Sequence, residues 1–184
     1  MLEPIENVMD ELKRTVEGVS FQEEEELVKA ILEAKHVFVA GAGRSGMIAG
    51  CFAMRLMHAG IVTYRVGEST TPGIGKEDLL VIASGSGTTA SLLSMAEKAR
   101  KIGAKVALVT IYPDSAIGKL ASIIIHIHAF TCKSDIDTGV HSVQPMGNLF
   151  EQSLLISLDY VVEILMDKLG LTGDVMFQRH ANLE

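Results

Sequence analysis

Five apolar residues in a row, Leu79 to Ala83, run directly into Ser84-Gly85-Ser86-Gly87-Thr88-Thr89. A run with no polar break belongs to a strand covered on both faces, which is the situation of a parallel sheet. An amphipathic pattern begins near Ala90, so the loop joins a strand's carboxyl end to a helix N-terminus. Such a junction presents unpaired backbone N–H groups and the positive end of the helix dipole. Ser84, Ser86, Thr88 and Thr89 add hydroxyl donors, and Gly85 and Gly87 let the backbone close around a tetrahedral anion. The loop has no lysine and no nucleotide P-loop pattern, so it suits one phosphate group rather than a polyphosphate chain. A hydroxyl-rich connector with helix caps is the plainer alternative.

Composition supports that sheet. The chain is 48% hydrophobic but has no tryptophan and only 5% aromatic residues. Its core is therefore aliphatic, as in a doubly covered parallel sheet. A formal net charge of −7 argues against nucleic acid or an anionic membrane as partner, while a local nest of N–H groups still holds a small anion. The first residues carry no basic, apolar leader, and no apolar run is long enough to span a bilayer. Cys51 and Cys132 lie far apart and form no C-x-x-C pair, so a reduced, cytoplasmic setting is expected.

In chain order, Ile5, Val8, Met9, Leu12, Val16 and Val19 predict an amphipathic helix over residues 4 to 18. Ser20 and Glu23 are spaced as a capping box, opening a second helix with Leu27, Val28, Ile31 and Leu32 inside. Strands are predicted at 36 to 40, 61 to 66, 79 to 83, 105 to 111 and 122 to 127, with helices to about 58 and 102. Pro113 to Ser115 starts a short helix. Residues 129 to 145 lack periodicity and read as a mobile loop that orders around ligand; Lys133, Asp135, Asp137, Gly139 and His141 lie in it. A long helix is predicted over 146 to 169. The expected fold is α/β: a single three-layer α/β/α domain on a five-stranded parallel sheet, flavodoxin- or Rossmann-like. Residues 1–34 are N-terminal helices packing on the core or a partner subunit, 35–170 the ligand-binding domain, and 171–184 a C-terminal tail.

A second loop, Gly41-Ala-Gly43-Arg44-Ser45-Gly46, also follows a strand and matches the dinucleotide fingerprint, with Glu68 downstream. Arg44 and Ser45 inside the turn weigh against a dinucleotide, as does the second anion loop, which one dinucleotide leaves unexplained. The other readings are a tight turn presenting Ser45 and N–H groups to a shared ligand, or a packing turn alone. Glu151 heads an apolar stripe of Leu154, Leu155, Leu158 and Val162, where it either complements the helix dipole or serves as a partly desolvated base. His126 and His128 share a strand face without a third ligand at recognisable spacing, so they read as core or edge residues. Cys51 reads as buried and inert. His180, in the polar tail, is either exposed or delivered to a site.

Together the two loops resemble the sugar isomerase (SIS) domain, which binds phosphosugars. More narrowly, Gly43-Arg-Ser-Gly46, Phe52-Ala-Met-Arg-Leu-Met-His58, Val66-Gly-Glu68, Pro145-Met-Gly, Leu149-Phe-Glu151 and the terminal His180-Ala-Asn-Leu-Glu resemble the 6-phospho-3-hexuloisomerases. The resemblance implies a reaction without metal or nucleotide, interconverting D-arabino-hex-3-ulose 6-phosphate and D-fructose 6-phosphate through a cis-enediol. It implies a homotetramer with sites near subunit contacts, working beside hexulose phosphate synthase in the ribulose monophosphate route of formaldehyde fixation. Glu151 would be the base and His180 a second catalytic group. Ser84, Gly85, Ser86, Gly87, Thr88 and Thr89 would hold phosphate, and Gly43, Arg44 and Ser45 would contribute to substrate binding. The alternatives are an arabinose 5-phosphate isomerase, which usually carries extra regulatory domains, and a non-catalytic phosphosugar sensor, which usually carries a helix-turn-helix.

Overall fold

The computed structural model describes residues 4–132, 136 and 138–183. Five strands, β1 (Val37–Gly41), β2 (Thr63–Arg65), β3 (Leu79–Ala83), β4 (Lys105–Thr110) and β5 (Ile123–His126), form one sheet in the order β2-β1-β3-β4-β5. Every pairing is parallel, with Val37 opposite Leu79 and Leu79 opposite Lys105. Alternation along the strands divides the core. Val37, Val39, Leu79, Val81 and Ala83 face one side, and Phe38, Ala40, Leu80 and Ile82 the other.

The helices are α1 (Ile5–Glu17), α2 (Phe21–Glu33), α3 (Gly43–His58), α4 (Ala90–Ile102), α5 (Asn148–Leu169) and α6 (Gly173–Phe177). α2, α3 and α5 cover the first face, and α4 covers the second. α1 lies on α5 rather than on the sheet, and of its residues only Thr15 is fully buried. α2 is part of the core layer, with Leu27, Val28 and Ile31 buried, whereas Leu32 is 40% exposed.

The predicted capping box does not form, because Glu23 is used elsewhere. Ser20 makes no side-chain cap, and the Glu23 Oε2 accepts the His126 backbone N–H at 2.8 Å. A carboxylate thus occupies the open side of edge strand β5, where an unpaired donor would otherwise invite another strand. The short helix expected after Pro113 is a single 3-10 turn at Gly118–Leu120. Cys51 is exposed, contrary to expectation, because it lies on the uncovered face of α3 beside Met47, Met54 and Met57. Within the predicted mobile loop, Ala129, Thr131 and Gln144 are buried, Gly139 adopts φ +69, and His141 is exposed. Lys133, Asp135 and Asp137 lie outside the described residues.

Strand order decides where ligands bind. From β1 the chain passes to β2 on one side, and β3 returns on the other. The loops after β1 and β3 therefore flank the topological switch point at the carboxyl edge, where an open α/β sheet leaves a crevice. These are the two glycine-rich loops.

Candidate active site

The crevice is a cleft of ≈ 390 Å³. Three helix N-termini meet at it: α3 at Gly43 and Arg44, α4 at Thr89, and α5 at Gly147 and Asn148. None has a side-chain cap, since Ala42, Thr89 and Gly147 at the N-cap positions accept no first-turn N–H through a side chain. Converging positive helix ends without side-chain caps are a geometry that suits an anion without a lysine.

The loop after β3 is shaped by its own bonds. The Ser84 Oγ, nearly buried, accepts the Gly87 N–H at 3.2 Å. Gly87 has φ +61, and a Cβ there would meet the Ser115 hydroxyl, so this tight turn requires glycine. A Cβ on Gly85 would lie 3.1 Å from the Phe150 ring, so Gly85 lets α5 settle across the loop. Thr88 Oγ1 donates to Ser86 Oγ at 3.2 Å. Among the described residues, the amides of Gly85, Ser86 and Thr89 have no acceptor. The cleft wall includes Ser84, Gly85, Ser86 and Thr89, but not Gly87 or Thr88; Thr88 borders a neighbouring hollow instead. The sequence groups all six together because it cannot show which donors the turn itself consumes.

In the loop after β1, Gly41 and Gly46 serve packing. A Cβ on Gly46 would sit 2.6 Å from the Gly41 carbonyl oxygen, so the pair lets α3 abut β1. Gly43, at φ +57 with open space around it, lines the cleft with Arg44 and Ser45.

Glu151 enters from the first turn of α5. Its side chain is 13% exposed, and its Oε2 lies 2.7 Å from the Arg44 Nε, whose side chain is 57% exposed. Leu154, Leu158 and Val162 below it are buried, while Leu155 points outward. The apolar stripe is therefore real, but the carboxylate above it is met by a cation. Thr131 and Met146, which sequence reasoning does not assign to the site, complete the wall. Neither has a local motif; both are placed by the path of the chain as it re-enters the sheet edge before α5.

His180 is not at this cleft within its own chain. Its ring stacks on His58 at 5.5 Å and on Phe177 at 5.6 Å, at the C-terminal end of α3. Burial, and then Arg55 and His180, hold the His58 imidazole below its usual range. His126 and His128 rings lie 3.9 Å apart, and the His126 Nε2 is 3.0 Å from the Ile111 carbonyl oxygen. Among the described residues, no third His, Cys, Asp or Glu joins them in a metal-sized cluster.

The SIS domain family model matches residues 30–159, which spans the sheet, both loops and Glu151. The chain belongs to the SIS domain family. The SIS proteins it resembles include the 3-hexulose-6-phosphate isomerase of Bacillus subtilis, 44% identical over 99% of this chain and 98% of that protein. The 3-hexulose-6-phosphate isomerase of Mycobacterium gastri is 42% identical over 96% of this chain and 88% of that one. Among solved structures, a Methanococcus jannaschii protein whose crystal structure was taken to infer 3-hexulose-6-phosphate isomerase function matches all of both chains. It does so at 36% identity and a TM-score of 0.85.

Proposed function

We propose that this SIS protein interconverts D-arabino-hex-3-ulose 6-phosphate and D-fructose 6-phosphate through a cis-enediol. The observation that carries the reading is a shielded carboxylate, Glu151, across a cleft from an uncapped, lysine-free anion loop. An acid beside an anion seat is what a phosphosugar proton transfer needs. The relatives named for the same isomerisation support it.

The 6-phosphate binds the free amides of Gly85, Ser86 and Thr89 and the hydroxyls of Ser86 and Thr89, on the loop that Ser84, Gly87 and Thr88 shape. Glu151 takes the C2 proton of the hexulose, and the electron pair moves into a C2–C3 double bond as the C3 oxygen gains a proton. The C2 hydroxyl proton then leaves, the C2 carbonyl forms, and the carbon-bound proton returns at C3. One base serves both transfers because the two carbons are adjacent on one face of a planar enediol. Arg44 holds the carboxylate in place, and Ser45 and Gly43 face the sugar hydroxyls. No step is assigned to a metal or a nucleotide.

His180 is assigned to the cleft of a neighbouring subunit in a homotetramer, where it assists proton movement between hydroxyls. Exposed apolar side chains supply surfaces for that assembly: Met47, Met54 and Met57 on α3, and Leu155, Ile156 and Tyr160 on α5. No helix among the described residues is long and apolar enough to cross a membrane. We place the enzyme in the cytoplasm, downstream of hexulose phosphate synthase. A coupled assay tests the function: ribulose 5-phosphate, formaldehyde and the synthase, with fructose 6-phosphate as readout. Accumulation of hexulose phosphate with no fructose 6-phosphate would contradict it.

A further inference from the structure

A carboxylate well outside the cleft is tied to the segment that delivers Glu151. Glu11 is half-buried on α1, the helix that packs against α5. Its Oε1 accepts the Val143 backbone N–H at 2.7 Å, and its Oε2 accepts the Ser142 hydroxyl at 2.8 Å and the Gln144 Nε2 at 3.5 Å. The Ser142 Oγ in turn accepts the Gln144 backbone N–H at 3.1 Å, and Gln144 is 7% exposed. One carboxylate therefore gathers three consecutive residues into a knot, through charge-assisted bonds of the stronger kind.

The turn just beyond the knot is strained. Met146 has φ +57, the left-handed region, and is the one non-glycine there among the described residues. A bulky side chain in that conformation persists only where its surroundings over-determine it. The turn closes with the Asn148 N–H donating to the Pro145 carbonyl, and the Glu151 N–H donates to the Gly147 carbonyl. Between Gln144 and Glu151 the chain thus makes one strained turn and starts one helix. Met146 and Gly147 both line the cleft.

We propose that Glu11 is a positioning residue for Glu151: by knotting residues 142 to 144 it holds the Met146 turn and fixes where α5 begins. This rests on the reading of Glu151 as the base. The anion loop itself hangs from β3 and β4 and, among the described residues, makes no hydrogen bond to the knot, so its free amides at Gly85, Ser86 and Thr89 keep a phosphate seat when the Met146 turn loosens.

The test compares Glu11→Ala, Glu11→Gln and Ser142→Ala in kcat, KM, inhibition by inorganic phosphate, and thermal unfolding. Glu11→Ala is expected to lower kcat by about tenfold or more, since small misplacements of a catalytic group are costly. KM and phosphate inhibition should stay near wild type. Glu11→Gln should recover most of the rate, because an amide oxygen still accepts the Val143 N–H and its NH2 group can donate to Ser142. Ser142→Ala, which leaves α1 intact, should give a smaller fall in kcat alone and decides the matter if Glu11→Ala does not fold. Unchanged kcat in Glu11→Ala or Ser142→Ala would overturn the proposal, as would parallel loss of kcat and phosphate inhibition, or a Gln variant no better than Ala. Glu151→Gln in the same series separates the two readings: retained turnover there refutes the base, whatever Glu11 does.

Discussion

The Arg44 guanidinium reaches the Glu151 carboxylate at 2.7 Å, joining the first turn of α3 to the first turn of α5. A cation at a helix N-terminus is disfavoured by the helix dipole, and a carboxylate there is favoured. The pair therefore places the guanidinium where it costs α3 something. A partly exposed ion pair contributes only about 0–1 kcal/mol to stability, so stability is a weak reason for it. Its geometry is a stronger one. Glu151 is shielded and Arg44 is open, so the cleft presents a held carboxylate edge beside an exposed cation.

Hydroxyls of the loop after β3 have unequal surroundings. Ser86→Ala and Thr89→Ala remove groups that face the cleft, and each should raise KM by several-fold with kcat nearly unchanged, as for binding shared by ground and transition states. Thr88→Ala should matter less, because that hydroxyl donates to Ser86 and borders the neighbouring hollow. Steady-state kinetics of the three variants checks the order.

Glu24 makes stability depend on pH. It is 4% exposed, and desolvation, with help from Glu23, pushes its pKa up to about 7 from 4.5. The folded state then binds more protons than the unfolded state between those values, so stability falls as pH rises from about 4.5 to 7 and stays low above it. The cost at pH 8 is about 3 kcal/mol at most. Glu24→Gln should therefore raise the urea midpoint at pH 8 and leave it almost unchanged at pH 4.5. Equal gains at both pH values would contradict this.

How far the sequence carries depends on whether the deciding interaction is local. The run from Leu79 to Thr89 announces a buried strand, a turn and a helix start within eleven residues, and all three are present. Glu151 is legible because helical spacing alone sets it above Leu154, Leu158 and Val162. Its partner Arg44 reads only as a loop residue, since more than a hundred residues separate the two in the chain. The Ser20–Glu23 spacing misleads for the same reason: a better donor, the edge amide of His126, arrives from far along the chain. Cys51 misleads because helical periodicity marks α3 as apolar without showing that one face is uncovered. Glu11 gives no signal at all, being one more acid on an amphipathic helix.

The proposed role of His180 in a neighbouring cleft makes its own demand. Within one chain His180 lies against His58, away from Glu151. If each cleft borrows His180 from a neighbour, Glu151→Gln and His180→Ala proteins, each inactive alone, should regain activity when unfolded together and reassembled. Mixed tetramers then contain some clefts with both native residues. Absence of recovery, with mixed tetramers shown by native mass spectrometry, would remove His180 from the neighbouring cleft.

Proton exchange into fructose 6-phosphate in D2O, followed by NMR, tests the chemistry most directly. The wild-type protein should replace the hydrogen on C3 with deuterium and leave the C1 hydrogens alone, because the enediol spans C2 and C3. Glu151→Gln should bind the sugar phosphate yet leave the C3 hydrogen in place. Exchange at C1, or undiminished C3 exchange in the Gln variant, would contradict a C2–C3 enediol worked by Glu151.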